Sequence, residues 1–140
     1  MVLVDSSIWI EAARRDGSLA VKVALEALLD AGEAAWCGPV KLEVLGGARR
    51  EERRALEYFF AVIPYVPARE EHWEVAKQLA WKLRDAGLTV PWNDILIAGI
   101  GLKLGCRLYA QDKHFAAMAP LLSLPLYTPG YGGGFDPGEE

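Results

Sequence analysis

Met1-Val2-Leu3-Val4-Asp5-Ser6-Ser7-Ile8-Trp9-Ile10 changes character at its middle. Val2–Val4 is a short, continuous apolar run, the pattern of a strand buried on both faces of a parallel sheet. Asp5 stops that run, and from Ser6 to Arg14 the residues read as a helix. A strand that ends in an acid and turns at once into a helix is the opening half of a βα unit. Its acid then lies at the carboxyl edge of the sheet, where open parallel sheets bind their ligands.

The same alternation continues outward. Residues 18–31 carry Val21, Ala24, Leu25 and Leu28 at helical spacing, with Gly32 as the stop. Ala34–Cys37 reads as a second strand, and Pro39 suits the first turn of a helix bearing Val40, Glu43 and Val44. Glu51–Phe60 reads as helix and Ala61–Val66 as strand. Arg69–Ala86 has the clearest helical stripe, Trp73, Ala76, Leu79, Ala80 and Leu83, with Glu70 and Glu71 in its first turn and Gly87 after it. After Pro91 comes a helix over Asp94–Leu104, a strand at Arg107–Ala110 and a last short strand at Pro125–Tyr127. Strands alternating with helices predict an α/β fold, a three-layer α/β/α sandwich around a central parallel sheet. Residues 1–128 form one domain in this reading, and 129–140 a loose tail rich in Gly and Pro.

With 140 residues, 52% of them hydrophobic and 24% charged, the chain has the composition of a globular domain with a real core. No apolar run reaches membrane-spanning length, and Asp5 comes too early for a secretory signal, so a cytoplasmic protein without membrane contact is expected. Cys37 and Cys106 lack metal-ligand spacing and read as small buried thiols. A net charge of −4 argues mildly against a nucleic-acid partner. Carboxylates gathered to hold divalent cations would mislead that count. Arg49, Arg50, Arg53 and Arg54, with Arg14 and Arg15, read equally as solvated helix faces paired with Glu51 and Glu52 or as contacts to an RNA backbone.

Four acids stand out. Asp5 and Asp112 each follow a strand; Asp94 occupies the first turn of its helix; Glu43 lies mid-helix with Gly46 and Gly47 one turn on. Singly, each has a structural explanation, as helix cap, dipole partner or solvated side chain. Jointly they fall at strand ends and helix starts along one edge of one sheet.

The segments Val4-Asp5-Ser6-Ser7-Ile8-Trp9-Ile10, Leu42-Glu43-Val44-Leu45-Gly46-Gly47, Val90-Pro91-Trp92-Asn93-Asp94-Ile95-Leu96-Ile97-Ala98 and Asp112-Lys113-His114-Phe115 resemble, in order, the four motifs of PIN-domain nucleases. They are most similar to those of the VapC-type toxins of toxin–antitoxin pairs, and the resemblance spans the chain apart from its tail. It implies a metal-dependent endoribonuclease that uses Mg²⁺ or Mn²⁺, with Asp5, Glu43, Asp94 and Asp112 as its acidic quartet and metal ligands. Ser7 and Asn93 match supporting polar positions. Cleavage leaving a 5′-phosphate and a 3′-hydroxyl, a homodimer, and a cognate antitoxin across the active-site groove are further implications. One position departs from the family pattern: a hydroxyl is usual two residues before the fourth acid, and Ala110 stands there.

Hard divalent cations prefer oxygen donors, so a carboxylate set without Cys or His fits Mg²⁺ or Mn²⁺ better than zinc. Trp92 is a candidate for stacking a base, and Lys41 and Lys113 for phosphate contacts. His114 is either an RNA contact and proton donor or a plain loop histidine. An aspartyl-phosphate mechanism of the haloacid-dehalogenase kind needs an acid two residues after Asp5, where Ser7 stands. The alternative to a nuclease is a PIN-like module that binds RNA or protein without cutting.

Overall fold

The computed structural model describes residues 1–138. Its elements run β1 (Val2–Val4), α1 (Ser6–Ala13), α2 (Leu19–Asp30), β2 (Ala34–Cys37), α3 (Gly38–Gly46), a 3₁₀ turn (Arg50–Glu52), α4 (Arg53–Phe60), β3 (Tyr65–Val66), α5 (Glu70–Asp85), α6 (Trp92–Leu104), β4 (Arg107–Tyr109) and α7 (Lys113–Leu122), with a second 3₁₀ turn at Tyr131–Gly133. The four strands form a parallel sheet in the order β3-β2-β1-β4.

That order carries the topology. The chain moves outward from β1 through β2 to β3, then crosses back to lay β4 on the other side of β1. Right-handed crossovers therefore set α1–α4 over one face and α5–α7 over the other. The packing agrees: α1 lies on α2, α5 on α6, and α7 against both α5 and α6. The expected three-layer α/β/α sandwich is what forms. The direction of winding reverses between β1 and β4, at the carboxyl ends of which sit Asp5 and Asp112.

Burial on both faces explains the strand sequences. Val2, Leu3, Val4, Ala35, Cys37 and Leu108 are fully buried, as the unbroken apolar runs require. Helix α6 is buried along one continuous stretch from Asp94 to Gly101. Gly99 lets α5 come close: a Cβ there would stand 3.4 Å from Ala76 N and 3.5 Å from His72 O. His72 is itself buried, and its Nδ1 accepts the Arg69 N–H at 2.9 Å, which caps α5.

Two elements differ from the sequence reading. The strand expected over residues 61–66 shrinks to Tyr65–Val66, because α4 carries its turn on to Ile63, whose N–H bonds to Phe60 O, and Pro64 follows. Pro125–Tyr127 makes only an isolated parallel bridge, Leu108 to Leu126. Trp9 and Trp36 join Phe60 in an aromatic cluster, whereas Trp73 and Trp81 are exposed. Of the segment 129–140, the described residues to Gly138 lie against the body, with Phe135 stacked on Tyr127 and Asp136 O accepting from Arg107 at 2.7 Å. Residues 139–140 lie outside the described part. Among the described residues, no helix is long and apolar enough to cross a membrane.

Candidate active site

Asp5 leaves β1 with its backbone N–H still bonded to Tyr109 O at 2.9 Å, so β1 and β4 stay paired up to the first acid. Its side chain then caps α1, accepting Ser7 N–H at 3.1 Å. Asp112 repeats the device after β4, capping α7 by accepting His114 N–H at 2.8 Å. The helix-cap reading therefore holds for both acids, and capping fixes each carboxylate's direction at the sheet edge.

Helix α6 begins beside them. Pro91 leads into the first turn, which carries Trp92, Asn93 and Asp94 on successive faces. Asp94 points inward and is 7% exposed. Asn93 Nδ2 donates to Glu43 Oε1 at 2.8 Å, and Ser6 Oγ donates to Glu43 Oε2 at 2.8 Å. Both oxygens of Glu43 are thus held, from β1's end on one side and from α6 on the other. Sequence reading named Ser7 and Asn93 but not Ser6; the adjacent serines after Asp5 were its available signal.

Ser7 works elsewhere. Its Oγ accepts the Gln111 N–H at 3.0 Å, which ties the β4–α7 loop to the start of α1.

Among the described residues, Asp94, Asp112 and His114 bring one ligand atom each within 4.8 Å of one another. His114 Nδ1 lies 2.7 Å from Asp112 Oδ1 and 3.4 Å from Asp94 Oδ2. Neither approach is a directed hydrogen bond, and both Asp94 Oδ2 and His114 Nδ1 are buried without a partner. Asp5 and Glu43 stand beside this group rather than inside it. The group of possible ligand atoms that the fold brings together includes an imidazole beside the carboxylates, because α7's first turn folds it back over its own cap.

The charges strain one another. Burial, then the neighbouring charges of Asp112 and Asp5, push the Asp94 carboxyl up to about 7. Burial also raises Asp5, with the charge of Glu43 adding to it and the Ser7 hydrogen bonds opposing. Asp112 is the reverse case: burial works against its ionised form, but the hydrogen bond from His114 N–H and the adjacent imidazole hold it below the usual carboxylate range. A buried carboxylate with an unpartnered oxygen, held close to other carboxylates whose charge it resists, is a donor set that a divalent cation would relieve.

The remaining candidates lie around this centre. Trp92 is 78% exposed immediately before Asn93 and Asp94. Lys113 is exposed, and Lys41 holds its ammonium 5.0 Å from the Tyr65 ring centroid. Between α1, α3 and α4 runs a groove of about 790 Å³. Its lining is mostly apolar, including Trp9, Val44 and Phe59, and also includes Arg14, Arg15, Arg49 and Glu43. Arg49 is already bonded to Glu52 at 2.8 Å, so part of that basic run is a paired, solvated face. Cys37 and Cys106 are free and buried, and burial pushes the Cys37 thiol up to about 12.

Known proteins resemble the chain in sequence and in fold. It is 32% identical over 129 residues to the VapC ribonuclease Mb1587 of Mycobacterium bovis, covering 89% of this chain and 96% of the relative. Ribonuclease VapC19 of Mycobacterium tuberculosis is 28% identical over 125 residues, 89% of this chain and 99% of that one. The fold matches VapBC2 from Rickettsia felis bound to a promoter DNA fragment, with TM-score 0.74 and 18% identity over 91% of this chain and 98% of that one. FitAcB from Neisseria gonorrhoeae matches with the same TM-score of 0.74 at 15% identity, over 91% of this chain and 97% of that one. With the PIN domain family model matching residues 2–121 and so near a VapC relative along almost its whole length, the chain belongs to the PIN domain family, in its VapC ribonuclease branch.

Proposed function

We propose that the protein is a divalent-metal-dependent endoribonuclease, the toxin of a toxin–antitoxin pair, acting in the cytoplasm. The observation that carries this reading is the Asp94–Asp112–His114 group at the β1/β4 switch point, in which a buried carboxylate oxygen has no hydrogen-bond partner. Asp94 and Asp112 would hold an Mg²⁺ or Mn²⁺ ion, with Asp5 and Glu43 completing the acidic quartet around it. Such an ion, when bound, polarises a phosphodiester and lowers the pKa of water beside it.

The chain's own residues do the rest. Asp5 and Asp112 keep their directions through the caps they make. Glu43 has both oxygens engaged, yet each retains acceptor capacity. It orients the attacking water against the phosphate, with Ser6 and Asn93 keeping it from swinging away. Trp92 offers an indole face for a base next to the cut, and Lys41 and Lys113 are the cations closest in sequence to the quartet for phosphate contact. Hydrolysis leaves a 5′-phosphate and a 3′-hydroxyl.

The partner of this toxin is a cognate antitoxin, which covers the mostly apolar, arginine-lined groove that includes Glu43. The toxin itself pairs as a homodimer. Buried free thiols suit a reducing compartment. Incubating the purified chain with a mixed RNA pool in Mn²⁺ or in EDTA tests the activity. Cleavage in Mn²⁺ that EDTA abolishes is the expected result; no cleavage under either condition would leave a non-catalytic binding module.

A further inference from the structure

His114 follows Asp112 by two residues at the start of α7, and that spacing decides where its ring goes. Its backbone N–H is fixed by the Asp112 cap at 2.8 Å, and the side chain returns over the same carboxylate. Nδ1 lies 2.7 Å from Asp112 Oδ1 and 3.4 Å from Asp94 Oδ2. Nδ1 pairs with Asp112 at 2.7 Å without the alignment of a directed hydrogen bond, and Asp94 Oδ2 is buried with no hydrogen-bond partner. Buried polar atoms are nearly always satisfied. An unanswered carboxylate oxygen with a second carboxylate oxygen and a ring nitrogen converging beside it is an arrangement that a cation satisfies.

The spacing also fits one ion. Neighbouring ligands of an octahedral ion with bonds of about 2.1 Å stand about 3 Å apart. The two separations from Nδ1, 2.7 and 3.4 Å, bracket that value. Donor chemistry then discriminates between the two ions: Mg²⁺ keeps to oxygen and water, whereas Mn²⁺ shares its preference for carboxylates but, as a first-row transition ion, accepts an imidazole nitrogen more readily.

We propose that His114, through Nδ1, is a direct ligand of the ion held by Asp94 and Asp112, and that this nitrogen makes the site prefer Mn²⁺ to Mg²⁺. The proposal rests on the metal-dependent reading above. It moves His114 from the substrate side of the site to the metal itself, and leaves only Nε2 for any contact with RNA.

The direct test is pulsed electron paramagnetic resonance of the full chain loaded with Mn²⁺. Nuclear modulation from a coordinated ¹⁴N is expected, converting to the ¹⁵N pattern when histidine is isotopically labelled and vanishing in His114→Gln. In parallel, His114→Gln should weaken Mn²⁺ binding by about 10-fold or more and Mg²⁺ binding by less than about 3-fold, with circular dichroism checking that the variant stays folded. Bound Mn²⁺ without nitrogen coupling in the wild type overturns the proposal while leaving the metal-dependent nuclease standing. So does an equal weakening of both ions in a folded variant. If the variant fails to fold, the wild-type labelling result decides alone. If neither ion binds the wild type, the proposal falls together with the metal-dependent reading.

Discussion

Asp94 feels three opposing influences at one carboxyl: burial and the charges of Asp112 and Asp5 favour its neutral form, and His114 favours its ionised one. The first group wins and raises it from 3.8 to about 7. Between those values the folded chain keeps a proton that the unfolded chain has released, so stability falls as pH rises. The contribution is whole below about 3.8 and lost as pH passes about 7. Asp94→Asn removes the group. In EDTA, the melting temperature of the wild type should therefore drop relative to that variant by several degrees from pH 4.5 to 8.5, since about 1 kcal/mol moves a domain of this size by roughly 2–8 °C. A difference that stays constant with pH would contradict the coupling. Asp5 allows its two roles to be separated. Asn caps as well as Asp does, so Asp5→Asn should cleave poorly yet melt near wild type, whereas Asp5→Ala should lose about 1 kcal/mol as well. Urea unfolding of the two variants measures the difference.

At the scale of elements, the two βα turns at β1 and β4 are built alike, and Ser7 couples them. Ser7→Ala frees the Gln111 N–H, at a cost of about 0.5–1 kcal/mol, and loosens the loop that aims Asp112. Cleavage by that variant should fall about 10-fold, with metal affinity falling alongside; isothermal titration with Mn²⁺ shows whether it does. The same turns explain what was legible in sequence. An apolar triplet ending in an acid announced β1 and its site residue together, because burial on both faces and the cap are local requirements. Residues 61–66 misled, since a short apolar run fits a strand or the frayed end of a helix equally well. Ser6 is absent from the sequence reading, and His114 stands there as an RNA contact or loop histidine rather than beside Asp94, for a different reason. Ser6 meets Glu43 across 37 residues of sequence. His114 becomes a candidate ligand only because α6 brings Asp94 against it. Local spacing places each side chain, but not the partner it meets.

For the whole molecule, the reversal of strand order between β1 and β4 gathers Asp5 and Asp112, and α6, packed against α5 on one side and touching α3 on the other, delivers Asp94 and Asn93 to the same edge. Alternating elements made the sandwich readable, but not the position of the switch point, which depends on strand pairing; the motif resemblance grouped the four acids without saying which strands lie side by side. A site assembled from crowded acids is destabilising until a cation enters it. Folding and chemistry are thus linked through the same few oxygens, which in the proposed reading would hold the ion needed to cut RNA. The measurement that tests it most directly is the cleavage rate of a labelled RNA in Mn²⁺ by wild type and by Asp94→Asn, both shown to be folded by circular dichroism. A loss of at least about 100-fold is expected in the variant. Equal rates in the two proteins would contradict it.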